Sequence, residues 1–290
     1  METSQTVIEA RRQHIAVLEQ EFSHRESEQL VRILLEDLFG LDATAIAMHP
    51  ERVFTEEMSQ KMTQAVAQLL LHRPIQYVIG EVSFNDLRLH VDESVLIPRP
   101  ETEEMLHRII AMEHRIPIRR IWDIGTGSGC IAISMAKAFP EAEVYAFDVS
   151  SSALSVACDN AQRNGVTVHC VEDDILHPSS TVLEDAVDLI VSNPPYVCDS
   201  ERADMERHVL DYEPSNALFV PDDDPLLFYR QILLLAQRSL TPGGEIWFEI
   251  NEAKGEEMLA LCRSHGYDHV QVLEDYTGRK RFVAVLSEKF

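Results

Sequence analysis

The sequence predicts an α/β protein, a mostly parallel, doubly wound sheet preceded by a small all-helical N-terminal domain and a β-hairpin linker. Three observations predict it. From about residue 100 onward, strand-like and helix-like segments alternate, the pattern of βα units whose ligands sit at the carboxyl ends of the strands. From residue 6 to about 72 apolar residues recur at three and four, as on amphipathic helices, with no strand signal. Between them, "QYVIGEVSFNDLRLHVDESVLIP" alternates apolar and polar residues around Asn85-Asp86, the signature of a hairpin. The expected boundaries are 1–75, 76–99 and 100–290.

In the first segment "VIEARRQHIAVLEQEF", "SEQLVRILLEDLFGL" and "SQKMTQAVAQLLL" carry the helical spacing. Ser27 and Ser59 are read as N-caps and Gly40 as a C-terminal stop. In the last segment the predicted strands are "RRIWDIG", "EVYAFD", "TVHCVEDD", "VDLIVSNPP" and "GGEIWFEI", with helices between them. "HVQVLED" and "RFVAVLSE" are close enough to pair antiparallel across "YTGRK". There is no internal repeat and no low-complexity segment.

Composition narrows the function. The chain has 290 residues, 45% of them hydrophobic, enough for one large or two modest cores. With 25 basic and 49 acidic residues the formal charge is −24. A nucleic-acid binder normally shows a basic footprint, so this balance argues against one without excluding a local patch. No stretch approaches the roughly 18 apolar residues of a membrane span, and the N-terminal "METSQTVIEARRQH" lacks the apolar core of a signal peptide. A cytoplasmic protein with no membrane partner is the expectation. The five cysteines form no CxxC pair and no zinc spacing, and are expected to be reduced. Cys198, near Tyr196, invites a nucleophile reading, but the sequence supplies no positioned base. The twelve histidines include no HExxH, and nothing calls for a metal.

Two strand exits carry chemistry. The first runs into "DIGTGSGC", where glycines allow a tight turn and let the backbone approach a ligand. The spacing is GxGxG rather than GxGxxG, and no Lys-Ser/Thr follows as in a phosphate loop. About 20 residues on, the next strand ends in Asp148, placed to accept hydrogen bonds from both hydroxyls of a ribose. The plain alternative is that Asp148 caps the helix "DVSSSAL". The third strand ends in Asp173-Asp174-Ile175, where a carboxylate can accept from an adenine amino group while the apolar neighbour packs on the ring.

The second exit is "SNPPY", residues 192–196, directly after "VDLIV". Two prolines end the strand and cannot begin a helix. The residue before a proline is held extended, so Asn193 projects its carboxamide in a fixed pose. A Pro-rich exit loop is the bland alternative. Next to a glycine loop and a ribose acid, the tetrapeptide reads instead as a clamp for a planar amino group. Asn193 Oδ1 and the carbonyl of Pro194 each accept one N–H, and Tyr196 stacks on the plane and faces a cation.

This order of motifs resembles the Rossmann-like, class I methyltransferases that use S-adenosylmethionine. Asn/Asp-Pro-Pro-aromatic motifs serve enzymes acting on adenine, cytosine and guanine amino groups and on the glutamine amide. "RPIQYVIGEVSFNDLRLHVDESVLIPRPETEEML" (73–106), "DIGTGSGCIAIS", "VDLIVSNPPYV", "YEPSNALF", "LTPGGEIWFEI" and "DYTGRKRFVAV" together resemble the bacterial peptide chain release factor glutamine N5-methyltransferase family, over about residues 73–283. The resemblance implies methylation of the glutamine in the Gly-Gly-Gln motif of class I release factors, with S-adenosylhomocysteine as product and the helical domain and linker helping to engage the factor. Carried over by position, Gly125, Thr126, Gly127, Ser128, Gly129, Asp148, Asp174, Ile175 and Asn193 hold the cofactor. Asn193, Pro194, Pro195 and Tyr196 hold the glutamine. Family members often carry an aromatic residue where Ile175 stands.

Arg99, held between two prolines in "IPRPETE", is expected at the mouth of the site. Pro100, Glu101 and Glu103 are accounted for as ordinary first-turn helix residues. Glu213 is either a loop carboxylate or part of the substrate rim. A monomer is expected. The rival readings are an RNA or DNA amino-group methyltransferase, which calls for a basic face, and a catalytically silent binding protein, which calls for a broken cofactor loop.

Overall fold

The protein is described here by a computed structural model covering residues 5–287. It divides into two compact units, one reaching Glu81 and including Glu206–Tyr212, the other formed by Val82–Met205 and the chain from Glu213 onward.

The first unit contains helices α1 (Val7–Leu18), α2 (His24–Phe39), α3 (Ala43–Met48), α4 (Glu56–Leu70) and α5 (Ile75–Ile79). Leu18, Val31, Leu34, Met62, Val66 and Leu69 fill its core at the spacing that the sequence shows. Helix α1 begins with a capping box between Thr6 and Glu9, and Gly40 stops α2 in the left-handed conformation. The caps of α2 and α4 are Ser23 and Thr55, which accept from the N–H groups of Glu26 and Met58. The expected caps, Ser27 and Ser59, lie one turn inside. Each helix gains a turn because a hydroxyl four residues earlier was equally able to cap it. Gln76–Ile79 are helical, where alternation predicted strand.

In the second unit, β1 (Glu81–Phe84) and β2 (Leu87–His90) form the hairpin, with Asn85 at φ 47° and Asp86 at φ 59°. Two consecutive positive φ angles define a type I′ turn, and Asn and Asp tolerate them best after glycine. Next come α6 (Pro100–Ala111), β3 (Arg120–Ile124), α7 (Cys130–Ala138), β4 (Glu143–Asp148), α8 (Ser151–Arg163), β5 (His169–Glu172) and β6 (Val187–Ser192). The chain continues through two short strands, β7 (Val197–Cys198) and β8 (Phe219–Val220), which flank α9 (Arg207–Tyr212). The latter belongs to the first unit, where the Tyr212 hydroxyl donates to the carbonyl of Leu71 at 2.8 Å. Helix α10 (Leu227–Ser239), β9 (Leu240–Glu249), α11 (Gly255–Ser264), β10 (His269–Glu274) and β11 (Lys280–Leu286) complete the unit.

Seven strands form one sheet in the order β10-β11-β9-β6-β3-β4-β5. All neighbours from β9 to β5 run parallel, and β11 is antiparallel to both β9 and β10. The sheet is buried on both faces, so its strands read as near-continuous apolar runs. Trp122, Ile190 and Phe248 point to one side and Ile121, Leu189 and Trp247 to the other. The chain winds outward from β3 to β5, then crosses back to β6 on the other side of β3. That reversal opens a crevice at the carboxyl ends of β3 and β6.

Cys158 on α8 is bonded to Cys170 on β5, which corrects the expectation of five reduced cysteines. A separation of 12 residues carries no local motif, and only the packing of α8 on β5 brings the two together. Among the described residues no helix is long and apolar enough to cross a membrane, and no cluster of side chains has the makings of a metal site.

Candidate active site

Register decides which loops meet. Ile124 pairs with Ser192 across β3 and β6, Ile124 with Phe147 across β3 and β4, and Ser192 with Phe248 across β6 and β9. The glycine loop, Asp148, Asn193 and Glu249 therefore leave the sheet side by side. Ser192 Oγ locks the two central exits by donating to the carbonyl of Ile124 at 2.6 Å.

The glycine loop turns back over β4. The N–H groups of Gly125 and Thr126 both reach the carbonyl of Phe147 at 2.9 Å, and that of Gly127 reaches Asp148 Oδ2 at 2.9 Å. Gly125 and Gly127 have φ of 77° and 52°, and a Cβ on either would meet nothing within 4 Å. Their backbone faces open space. Gly129 is required for a different reason, since a Cβ there would lie 3.0 Å from that of Ala157 on α8. It caps α7 by close packing rather than by lining the crevice.

A cavity of about 240 Å³ fills the crevice. Of the residues expected at the site, Gly125, Gly127, Asp148, Asp174, Ile175, Asn193, Pro194 and Pro195 line it. A smaller adjoining recess of about 40 Å³ is bordered by Arg99, Thr126 and Ser128. Tyr196 is not among the residues lining the cavity, unlike the expected stacking platform: half-buried, it packs against the core with its hydroxyl donating to Glu249 Oε1 at 3.1 Å.

Asp148 is not the helix cap. Ser150 caps α8, while Asp148 Oδ1 accepts from the Ser150 N–H at 2.9 Å. A carboxylate has about four acceptor positions, so further hydrogen bonds remain available toward the cavity. Burial raises the Asp148 pKa. The neighbouring pair at the end of β5 divides its labour. Asp173, buried, is spent on the loop, accepting from Ser179 and Ser180 N–H groups at 3.0 and 2.8 Å. Asp174 is part-exposed, and its carboxyl is lowered chiefly by His177, whose Nδ1 lies 3.0 Å from Oδ2.

Asp123, one residue before the end of β3, is fully buried. Its Oδ2 accepts from Thr126 Oγ1 at 2.6 Å and Ala132 N–H at 3.0 Å, whereas Oδ1 has no partner. Desolvation pushes its pKa up to about 7. Glu213, undecided from sequence, is a buried fastener: Oε1 accepts from Arg99 at 2.6 Å and Oε2 from the Ile97 N–H at 3.3 Å. It pins the 97–99 segment, and the Arg99 side chain remains about 30% exposed beside the recess. The thiol of Cys198 is pushed upward by burial and by Glu201, the opposite of an activated nucleophile.

The sequence reading passed over Asp123, Thr102 and Glu249. Asp123 and Glu249 each had one signal, an acid among apolar neighbours at a strand end, whereas Thr102, between Glu101 and Glu103, had none. Thr102, in the first turn of α6, accepts from Asn193 Nδ2 at 3.1 Å and donates to Glu249 Oε2 at 2.6 Å.

A reversed parallel sheet with an open glycine turn, an acid at the end of the neighbouring strand and an Asn-Pro-Pro exit in register defines a Rossmann-like methyltransferase. Residues 104–211 match the methyltransferase small domain family and residues 9–80 the PrmC N-terminal domain family. A methyltransferase from Pyrococcus furiosus superimposes with a TM-score of 0.53 at 20% identity, covering 79% of this chain and all of that one. The hMettl16 catalytic domain, solved with the MAT2A 3'UTR hairpin 6, gives 0.53 at 17% identity over 82% of this chain and 84% of its own. These likenesses show the fold. The release factor glutamine methyltransferase of Flavobacterium psychrophilum is 40% identical over 95% of this chain and 97% of its own length. That of Bacteroides thetaiotaomicron is 39% identical over 89% and 92%. The chain belongs to the release factor glutamine methyltransferase family.

Proposed function

We propose that the chain transfers a methyl group from S-adenosylmethionine to the side-chain amide nitrogen, N5, of the glutamine in the Gly-Gly-Gln motif of class I peptide chain release factors. The observation that carries this reading is the Ile124–Ser192 register, which sets Asn193, Pro194 and Pro195 on the same cavity wall as Gly125, Gly127 and Asp148.

The residues present fit the methyl donor. Asp148 retains acceptor capacity for the ribose hydroxyls. Asp174 does so for the adenine amino group, with Ile175 beside it against the ring. Gly125 and Gly127 leave room for the chain that bears the sulfur. Asp148 and Asp174, on the cavity wall, give the pocket a negative field suited to a cation. When bound, the donor would supply a methyl on a cationic sulfur that departs as the neutral thioether of S-adenosylhomocysteine, while the amide nitrogen that gains the methyl releases one of its two protons to solvent.

The protein's own task is orientation. An amide nitrogen is a poor nucleophile because its lone pair is delocalised, and holding both of its N–H groups fixes it in line at high effective concentration. Asn193 Oδ1 and the Pro194 carbonyl accept those two N–H groups, and the rigid prolines keep both acceptors still. Among the described cavity residues there is no histidine, lysine or cysteine, in keeping with chemistry that needs no strong base. Arg99 borders the entrance to the glutamine pocket. The helical segment, residues 1–75, engages the release factor, and the enzyme works in the cytoplasm as a monomer.

The test is transfer of radiolabelled methyl from S-adenosylmethionine to purified release factor, beside a Gly-Gly-Asn variant and total RNA and DNA. Label confined to the Gly-Gly-Gln factor is expected. Label on nucleic acid overturns the substrate and keeps the chemistry.

A further inference from the structure

Glu249 closes β9 with its side chain 1% exposed, and Thr102 is 2% exposed. Buried polar groups are costly unless paired, and here each hydrogen bond leads toward the tetrapeptide. Glu249 Oε1 takes the Tyr196 hydroxyl at 3.1 Å, and Oε2 takes Thr102 Oγ1 at 2.6 Å. Thr102 in turn takes Asn193 Nδ2 at 3.1 Å. One carboxylate thus holds both ends of Asn-Pro-Pro-Tyr. The Tyr229 hydroxyl, donating to the Glu249 carbonyl at 2.9 Å, steadies the backbone beneath it.

The geometry sets the direction of this chain. Burial raises the Glu249 pKa, yet both of its carboxyl oxygens already accept, Oε1 from Tyr196 and Oε2 from Thr102, and a threonine hydroxyl has one proton to give. Because Thr102 gives that proton to Glu249, it can only accept from Asn193. Nδ2 must face Thr102, and Oδ1 must face the cavity. A flipped Asn193 would set two acceptors against each other. The near-symmetric carboxamide, which nothing in its own shape would orient, is oriented by a carboxyl group two hydrogen bonds away.

We propose that Thr102 and Glu249 are positioning and specificity-determining residues, a buried relay that forces Asn193 to present an acceptor and so selects a substrate bearing –NH₂ over its carboxylate counterpart. The inference rests on the function proposed above and adds to it the reason that glutamine is accepted and glutamate refused. The glutamate carboxylate has no hydrogen to give to Oδ1, and its charge meets an oxygen already fixed toward it.

Two variants separate direction from shape. Glu249→Gln keeps size and hydrogen-bonding capacity, but its amide can donate to Thr102, which then donates to Asn193 Oδ1 and releases the flip. Thr102→Val keeps shape and removes the link, and Thr102→Ser restores it. With full-length protein and release factor, Glu249→Gln and Thr102→Val are expected to lower kcat by at least about tenfold, with S-adenosylmethionine affinity within about twofold of the parent. Thr102→Ser is expected to recover most of the loss. Unchanged kcat in Glu249→Gln, or a loss matched by lost cofactor affinity, overturns the relay.

A second readout does not depend on the substrate. In ¹⁵N-labelled protein the Asn193 Nδ2 protons are expected to be protected from exchange in the parent and unprotected in Thr102→Val. Equal protection overturns the relay. A parent that leaves release factor unlabelled overturns the proposed function instead, and the exchange signal then judges the relay alone.

Discussion

The exits of β3 and β6 are neighbours in the sheet and opposite in construction. After β3 the chain uses glycines with positive φ, open space and backbone N–H groups. After β6 it uses prolines with fixed φ, and side chains braced from behind by Thr102 and Glu249. The difference teaches that gripping a ligand and aiming one are separate problems. A group that only has to be held is best met by close backbone and a few carboxylates, whereas a reacting group has to be aimed, and rigidity is the means.

The sharpest way to break this contrast is to remove the aiming group. Asn193→Ala is expected to lower turnover by roughly a thousandfold, the scale of losing a preorganised polar contact, while the folded state persists. Thermal melting and single-turnover rates check it. On the gripping side, Asp148→Ala is expected to weaken S-adenosylmethionine binding by about tenfold to a hundredfold, read by calorimetry, since it removes charge-assisted hydrogen bonds. Asp174→Ala should lose less, because that carboxylate is part-exposed and its contact is screened.

The glycine loop itself offers a finer contrast. Gly129→Ala places a methyl 3.0 Å from Ala157 Cβ at φ 82°, and a stability loss of about 2 kcal/mol or more is expected. Gly127→Ala meets no neighbour at φ 52°, so about 1 kcal/mol of strain is expected, with the larger effect on cofactor affinity. Chemical denaturation and calorimetry on the two variants separate packing from binding.

The smallest expected effect concerns Asp123. Its pKa rises from an ordinary 3.8 to about 7 on folding, so across that interval the folded chain keeps a proton that the unfolded chain has released. Its contribution to stability is present below the lower value and is lost as pH rises through the upper one. Asp123→Asn is therefore expected to raise the melting temperature by a few degrees near pH 8 and less near pH 5. Equal shifts at both would show that Asp123 is not the titrating group.

Much of this site was legible in the sequence because local chemistry dictated it. "GTGSG" and "NPPY" constrain backbone geometry locally, and the near-continuous apolar runs before them place both at strand ends. The order of βα units then implied the crevice, and the antiparallel final pair followed from a short "YTGRK" connection. Long-range partners were not legible. Thr102 and Glu249 lie 147 residues apart, Arg99 and Glu213 lie 114 apart, and only the folded sheet brings each pair within reach. The cap shifts from Ser27 to Ser23 and from Ser59 to Thr55 show the limit of a local signal, since either hydroxyl could serve and packing of the extra turn decided. The Cys158–Cys170 pair was invisible for the same reason as the relay.

The division between gripping and aiming is tested most directly by measuring S-adenosylmethionine affinity and single-turnover methyl transfer at saturating cofactor in the same preparations of Asp148→Ala and Asn193→Ala. The account predicts a crossed result: Asp148→Ala loses affinity and keeps most of its rate, whereas Asn193→Ala loses its rate and keeps most of its affinity. Affinity and rate falling together in both variants would contradict it.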